Sequence, residues 1–126
     1  MPSTPGQSFP KRERIASRRD FVRIYEEGRK LFGRYSVLFI APNSLGHPRL
    51  GITVTRKLGK AHDRNRLKRW VREAYRRRRG PLGLETRSLD LIVNVKAAAT
   101  TSDFTAFSED LGRALQRAVS TTAEAS

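Results

Sequence analysis

The densest run of chemically active side chains in this 126-residue sequence lies between residues 56 and 79. It holds twelve basic residues, nine of them arginine. A planar guanidinium can form two parallel hydrogen bonds to a phosphate. Asn65, which stands between Arg64 and Arg66, can bond a phosphate, a sugar hydroxyl or a base edge. The chemistry that this run predicts is recognition of a polyanion.

A single helix is needed to present these cations. Residues 61–79 contain neither Gly nor Pro, and Gly80-Pro81 ends the run. The apolar positions have the i, i+3, i+4, i+7, i+8 spacing of an amphipathic helix: Leu67, Trp70, Val71, Ala74 and Tyr75. Like charges four residues apart repel by a few tenths of a kcal/mol per pair. This favours a polyanionic partner over a merely solvated helix face. A membrane-surface helix is disfavoured for another reason, because Trp70 and its neighbours are needed for the core.

Composition points to the same class of partner. The net charge is +14, from 26 Lys and Arg against 12 Asp and Glu, which is typical of proteins that bind nucleic acid or an anionic membrane. No apolar run approaches the roughly 20 residues that span a bilayer, so we expect no membrane partner. The absence of Cys excludes disulfides and thiolate chemistry and favours the cytoplasm.

The remaining polar residues form no recognisable catalytic group. His47 and His62 are far apart, and both are expected at the surface. The carboxylates are scattered, and no pair has the spacing of metal ligands or of a general acid and base. Asp90, in a predicted strand, is the one carboxylate expected to be half-buried. We therefore predict neither catalytic nor metal-binding residues in this chain.

The predicted elements follow the order αββαβα. A capping box opens the first helix at Ser17, and Gly28 ends it. Strands are predicted at residues 34–41, 49–56 and 88–95, and the last helix at residues 103–119. We expect the first two strands to pair as an antiparallel hairpin. The predicted fold class is α+β, a two-layer sandwich with a mixed sheet and its helices on one face.

The chain divides by composition into three parts. Residues 1–10 are rich in Pro, Ser and Gly and are predicted to be a disordered tail. Residues 11–120 are predicted to form a single RNA-binding domain, and residues 121–126 a C-terminal tail. Gly112 interrupts the last helix, where it weakens helix formation by up to about 1 kcal/mol, so we expect close packing at that position.

Aromatic residues indicate a second surface. Phe21 and Tyr25 lie on one side of the first helix, and Phe39 lies in the first predicted strand. With Arg14 and Lys57 nearby, they would suit single-stranded nucleic acid, whose bases stack while its phosphates pair with cations. The alternative is that the three aromatic side chains belong to the core.

Residues 53–73, TVTRKLGKAHDRNRLKRWVRE, resemble the signature of the protein subunit of bacterial ribonuclease P. That signature is a strand, a K-x-G-x-A turn and an R-N-R-x-K-R-x-x-R-E helix. The length, the basic segment ending at Arg14 and the element order also fit, so the resemblance covers about residues 12–118. The chain departs from the pattern at His62, where a small aliphatic residue is common, and at Ser17, where a basic residue would fit.

The resemblance implies a ribonucleoprotein that removes the 5′ leader of precursor tRNA by hydrolysis. In that family a large RNA provides the catalytic groups and holds most of the Mg²⁺. The implied partners are this catalytic RNA subunit and precursor tRNA, with no further protein partner required. The resemblance also implies a left-handed βαβ crossover, a rare exception among folds.

Two groups of residues carry over by position. The group facing the catalytic RNA, called the helix site below, is Arg64, Asn65, Arg66, Lys68, Arg69 and Arg72. The group holding the single-stranded leader, called the leader cleft, is Arg14, Phe21, Tyr25, Phe39 and Lys57. Two alternatives are a ribosomal or other structural RNA-binding protein, and a stand-alone nuclease that depends on Asp90 or His62.

Overall fold

The computed structural model describes residues 11–125, and it describes side chains up to residue 120. The predicted tail at residues 1–10 lies outside this range. The last helix continues to Ala125 instead of ending at residue 119, so residues 121–125 of the predicted C-terminal tail are helical. The described chain forms a mixed four-stranded sheet and three helices, so the predicted α+β class is confirmed. The elements are α1 (Arg18–Glu27), β1 (Arg29–Phe32), β2 (Ser36–Pro42), β3 (Arg49–Thr53), α2 (Ala61–Arg79), β4 (Leu89–Val95) and α3 (Phe104–Ala125).

The predicted hairpin of the second and third strands is wrong. The strand order is β1-β2-β4-β3, so β4 lies between β2 and β3. Leu91 of β4 pairs antiparallel with Ile40 of β2 and parallel with Leu50 of β3. The physical reason is burial, because all but one residue of β4 is buried, and a strand that is apolar on both faces is best covered in the middle of a sheet.

The short strand β1 was not predicted from the sequence. It follows α1 directly and pairs antiparallel with β2. Gly28 permits the tight connection, because a Cβ there would lie 2.5 Å from the carbonyl oxygen of Ile24 and 2.9 Å from that of Ile40. Ser17 caps α1 by accepting a hydrogen bond from the backbone N–H of Asp20. Both predicted ends of this helix are confirmed.

Helices cover both faces of the sheet, so the prediction of helices on one face is wrong. Leu38 and Leu91 belong to the main core, which the sheet shares with α2 and α3. Phe39 and Ile92, one position further along, point to the other face and pack with Ile24 of α1. Alternation along β2 and β4 therefore gives two apolar faces, and each needs a helix to cover it.

The connection between the parallel strands β3 and β4 is α2 itself. Its fully buried Tyr75 has its pKa raised to about 12, because burial disfavours the phenolate. The side chain of Arg78 packs against α3 at Gly112. A Cβ added to Gly112 would lie only 2.0 Å from Arg78 Nε. The prediction that Gly112 marks close packing is confirmed, and the packing partner is a cation of α2.

Candidate nucleic-acid interface

The arginines at the C-terminal end of α2 are engaged within the protein. Arg76 and Arg77 both pair with Glu73, with Arg77 Nε 3.0 Å from Glu73 Oε2. The hydrogen bond from Arg76, followed by the one from Arg77, outweighs burial and lowers the pKa of the Glu73 carboxyl. These two cations are therefore partly neutralised by their own helix.

Contacts with other elements hold the last two arginines. Arg78 Nη1 donates a hydrogen bond to Ser108 Oγ of α3 at 2.6 Å. Arg79 Nη1 lies 2.9 Å from Glu13 Oε1, in the short 3₁₀ turn Lys11–Glu13. The sequence left the role of Arg76 to Arg79 open. Arg76 and Arg77 neutralise Glu73 within α2, and Arg78 and Arg79 secure α2 to its neighbours.

The helix site is different in this respect. Among the described residues, none of its five cations forms an ion pair with a carboxylate; they are Arg64, Arg66, Lys68, Arg69 and Arg72. Arg64 Nε donates to the carbonyl of Gly59 at 3.3 Å, and the Arg66 guanidinium stacks 5.3 Å from the centre of the Trp70 ring. Asn65 is exposed. These cations are free to neutralise phosphates of a partner.

A groove joins the helix site to Arg14. It has a volume of about 410 Å³, and Arg14, Lys68, Arg72 and the edge of β3 near Gly51 line it. Burial, and then the nearby charges of Arg14 and Arg69, lower the pKa of the Arg72 guanidinium. Unbalanced cations gathered in a partly buried groove favour an anion. The two predicted surfaces therefore meet at Arg14.

The three aromatic residues of the leader cleft lie together, as predicted. The ring centres of Phe21 and Tyr25 are 6.1 Å apart, and Tyr25 stands edge-on to Phe39 at 4.8 Å. Phe21 and Tyr25 are partly exposed, whereas Phe39 is only 8% exposed. Phe39 is therefore the floor of the cleft, and the two α1 rings are the ones that a base can reach. Lys57 is exposed beyond the end of β3.

Three residues that the sequence did not single out shape the cleft. Gly51 makes room for α1, since a Cβ there would lie 3.0 Å from Phe21 Cζ. The Tyr25 hydroxyl donates to Asn94 Oδ1 at 2.9 Å and lies 3.0 Å from Thr53 Oγ1. The available signal was weak: it consisted of the polar residues Thr53 and Asn94 near the ends of their strands and of a glycine, Gly51, within a strand.

Asp90 is fully buried, so the prediction that it is half-buried is wrong. Its carboxylate accepts hydrogen bonds from Arg49 at 2.8 and 2.7 Å, from Asn43 at 2.8 Å, and also from Arg23 of α1. Burial raises the pKa of Asp90, but the bonds from Arg49, Asn43 and Arg23 outweigh it, and the pKa is lowered. This carboxylate ties α1 to the sheet and has no unpaired oxygen to offer a reaction.

The other candidate groups for catalysis do not converge. His62 is exposed, and its Nε2 lies 3.2 Å from Asp63 Oδ1 at the start of α2. Within residues 11–125, no three His, Cys, Asp or Glu side chains are grouped so that they could hold a metal ion. None of the helices in this part of the chain is long and apolar enough to cross a membrane.

The fold and the site together define an α+β RNA-binding protein with two adjoining surfaces, one cationic and one aromatic. The family model for ribonuclease P matches residues 9–119. The ribonuclease P protein component of Thermotoga maritima is 47% identical over 87 residues, which are 69% of this chain and 72% of that protein. The chain belongs to the ribonuclease P protein family.

Solved structures agree with this assignment. The RNase P protein from Thermotoga maritima superposes with a TM-score of 0.74 at 39% identity, covering 83% of this chain and 96% of that one. The protein from Staphylococcus aureus gives a TM-score of 0.76 at 32% identity, covering 84% and 94%. The chain is thus an RNA-binding accessory subunit of a tRNA-processing endoribonuclease, and it associates with the RNA of that enzyme. A ribosomal or other structural RNA-binding protein is not favoured.

Proposed function

We propose that this chain binds two RNAs at once. The helix site contacts the catalytic RNA of ribonuclease P, and the leader cleft holds the single-stranded 5′ leader of precursor tRNA. The observation that carries this proposal is the division of cations along α2. The cations before Glu73 have no carboxylate partner among the described residues, whereas Arg76, Arg77 and Arg79 do.

The cleft has the properties that a single strand requires. Phe21 and Tyr25 offer partly exposed rings for stacking, which contributes about 1–3 kcal/mol per base. Arg14 and Lys57 carry positive charge to its edges, and neither forms an ion pair with a described carboxylate. The groove at Arg14 then gives the strand a continuous cationic path from the cleft to α2.

The protein would assist cleavage by positioning. Holding the leader in a fixed place relative to the catalytic RNA lowers the entropy that the reaction must lose. The cations between the two RNAs would reduce their mutual repulsion. Neither effect needs a protein side chain at the scissile phosphate.

We place the catalytic groups and the Mg²⁺ ions mainly in the RNA partner. The described residues contain no cluster of three or more metal-binding side chains, so a Mg²⁺ ion at this protein would draw most of its ligands from RNA phosphates and water. The partners we propose are therefore the catalytic RNA and precursor tRNA, in the cytoplasm, with no further protein and no membrane.

Reconstitution with the catalytic RNA tests this function. Cleavage of precursor tRNA is measured across a magnesium series for the RNA alone, the protein alone and the complex. We expect no cleavage by the protein alone, and we expect the complex to reach half-maximal cleavage at lower magnesium than the RNA does. Failure to stimulate the RNA at low magnesium, or cleavage by RNA-free protein, would contradict the proposal. Co-purification with ribosomes alone would favour a structural RNA-binding role.

A further inference from the structure

Phe32, at the end of β1, is the most exposed large apolar side chain of the described residues, at 66%. Its register partner is Val37 of β2, and the partner of Lys30 is Phe39. Directly paired residues of antiparallel strands point to the same face of a sheet. Phe32 and Lys30 therefore lie on the face that carries the leader cleft.

A row of four side chains crosses the sheet at this level. Phe32 pairs with Val37, Val37 with Asn94, and Asn94 with Thr53, one residue from each strand. Neighbouring strands are about 4.8 Å apart, so the row spans roughly 14 Å. The part of the row from Val37 to Phe32, about 4.8 Å long, has room for one or two stacked bases at about 3.4 Å each.

One end of this row is left open. The helix α1 packs mainly on β2 and β4, and its Tyr25 hydroxyl reaches the row at Thr53 and Asn94. Val37, the next position, is partly buried, and Phe32 beyond it is exposed. The floor of the leader cleft thus continues past Tyr25 towards the edge strand.

The charges around this open end are positive. Lys30 Nζ lies 5.7 Å from the centre of the Phe39 ring, and Lys96 Nζ donates to the carbonyl of Gly33 at 3.1 Å. Together with the exposed Arg34, these cations form no ion pair with any described carboxylate. An exposed aromatic ring flanked by unpaired cations suits a nucleic acid strand, whose bases stack and whose phosphates are neutralised.

The carboxylate in contact with this region is already committed. Asp110 of α3 is buried and accepts hydrogen bonds from the backbone N–H groups of Arg34 and Tyr35, at 3.1 and 3.0 Å. Its charge is further balanced by Arg113 at 3.6 Å. It therefore orders the turn after β1 and leaves the nearby cations available to a partner.

We propose that Phe32, with Val37 beside it and Lys30 behind it, is a stacking subsite for a leader nucleotide remote from the cleavage point. This inference rests on the proposed function, since it extends the same cleft. Nucleotides next to the scissile bond must lie near the catalytic RNA, and so at the Arg14 and Lys57 end. The strand then passes over Tyr25, and its more distant bases reach Val37 and Phe32.

The test measures binding of precursor tRNAs to the reconstituted complex while the leader is lengthened one nucleotide at a time. With short leaders, Phe32→Ala should bind like the wild type. Beyond a threshold length it should bind about five- to tenfold more weakly, the lower part of the range for loss of one stacked base. Phe32→Trp, which keeps an aromatic ring at this position, should bind long leaders as tightly as the wild type. The matched control is Leu45→Ala, which trims a 49% exposed apolar side chain in the loop after β2.

Three outcomes would overturn the subsite. They are equal binding by Phe32→Ala and the wild type at every length, an equal loss at every length, and a loss matched by Leu45→Ala. A change in self-association of the free protein, measured by sedimentation, without any leader effect would assign Phe32 to protein contacts instead. If the wild-type protein does not stimulate cleavage by the catalytic RNA at low magnesium, the proposed function fails. That result is distinct from failure of the Phe32 subsite.

Discussion

Asp90→Asn removes the negative charge that ties α1 to the sheet. The carboxylate accepts two hydrogen bonds from Arg49, at 2.8 and 2.7 Å, one from Asn43 at 2.8 Å, and another from Arg23. Removing one partner of a buried ion pair costs about 3–5 kcal/mol. Because both arginines keep part of their surface in water, we expect the lower end, about 3 kcal/mol. For a domain of this size that lowers the midpoint of thermal unfolding by roughly 10 °C.

The same substitution should remove an acid-sensitive part of the stability. Burial opposes the ionised form of Asp90, but its hydrogen bonds outweigh burial and leave the pKa below the usual range. A carboxyl whose pKa is lower in the folded state stabilises the fold above its unfolded pKa, about 4. That contribution is lost as the pH falls through the folded pKa. The stability difference between wild type and variant should be full at neutral pH and shrink below about pH 4.

Urea unfolding followed by circular dichroism, repeated from neutral to acid pH, measures both effects. The control is Glu109→Gln, which removes an exposed carboxylate of α3 and should change the free energy of unfolding by less than about 0.5 kcal/mol. A loss below about 1 kcal/mol for Asp90→Asn at neutral pH, or a loss that persists unchanged in acid, would refute this reasoning.

Three further changes separate the two RNA surfaces. Arg69→Ala should weaken binding of the catalytic RNA in filter-binding assays and reduce the salt slope of log K by about one; Arg77→Ala, which removes a cation paired with Glu73, should do much less. Phe21→Ala should weaken only substrates with long leaders, and an equal loss on leaderless tRNA would argue against a separate cleft. Gly51→Val should push Phe21 off β3, destabilise the fold by about 1–3 kcal/mol and reduce leader dependence. If Gly51→Val kept the wild-type stability and leader dependence, the space beside Phe21 would not be needed.

Local periodicity was enough to predict the helices. The run from Ala61 to Arg79 was predicted from its apolar spacing and from the Gly80-Pro81 stop, and α2 has those bounds. The predicted bounds of the first helix and of the last strand differ from the observed ones by a residue or two at most, for the same reason. Helical capping and hydrophobic spacing act within a few residues, so the sequence alone displays them.

Strand order depends on contacts far apart in the chain, and there the prediction failed. Short loops between strands usually mean a hairpin, but β4 enters between β2 and β3. The sequence did carry one hint. Ile92, on the face opposite Leu91, makes β4 apolar on both sides, and such a strand belongs in the interior of a sheet. The same residue, Ile92, needs a helix to cover its face of the sheet. Since α2 covers the face of Leu91, α1 covers the face of Ile92.

The candidate site was predicted in kind but not in detail. Spacing identified the cations of α2, yet it could not show which of them are neutralised within the protein. Arg78 meets Ser108, thirty residues away, and Arg79 meets Glu13 from the other end of the domain. Likewise Phe21 and Phe39 are the same residue type. Only the packing of α1 on the sheet leaves Phe21 partly exposed and buries Phe39 beneath the helix.

The central position of β4 has a consequence for how the chain folds. Arg49 and Asp90, register partners on β3 and β4, are separated by 41 residues. The middle of the sheet therefore cannot close during synthesis until α2 has been made and residues 89–95 have emerged. Such non-local pairing slows folding, and it leaves a nascent arginine-rich segment exposed beside an unfinished sheet. We expect polyanions to speed refolding, because an RNA that engages α2 early would order the connection that brings the two strands together.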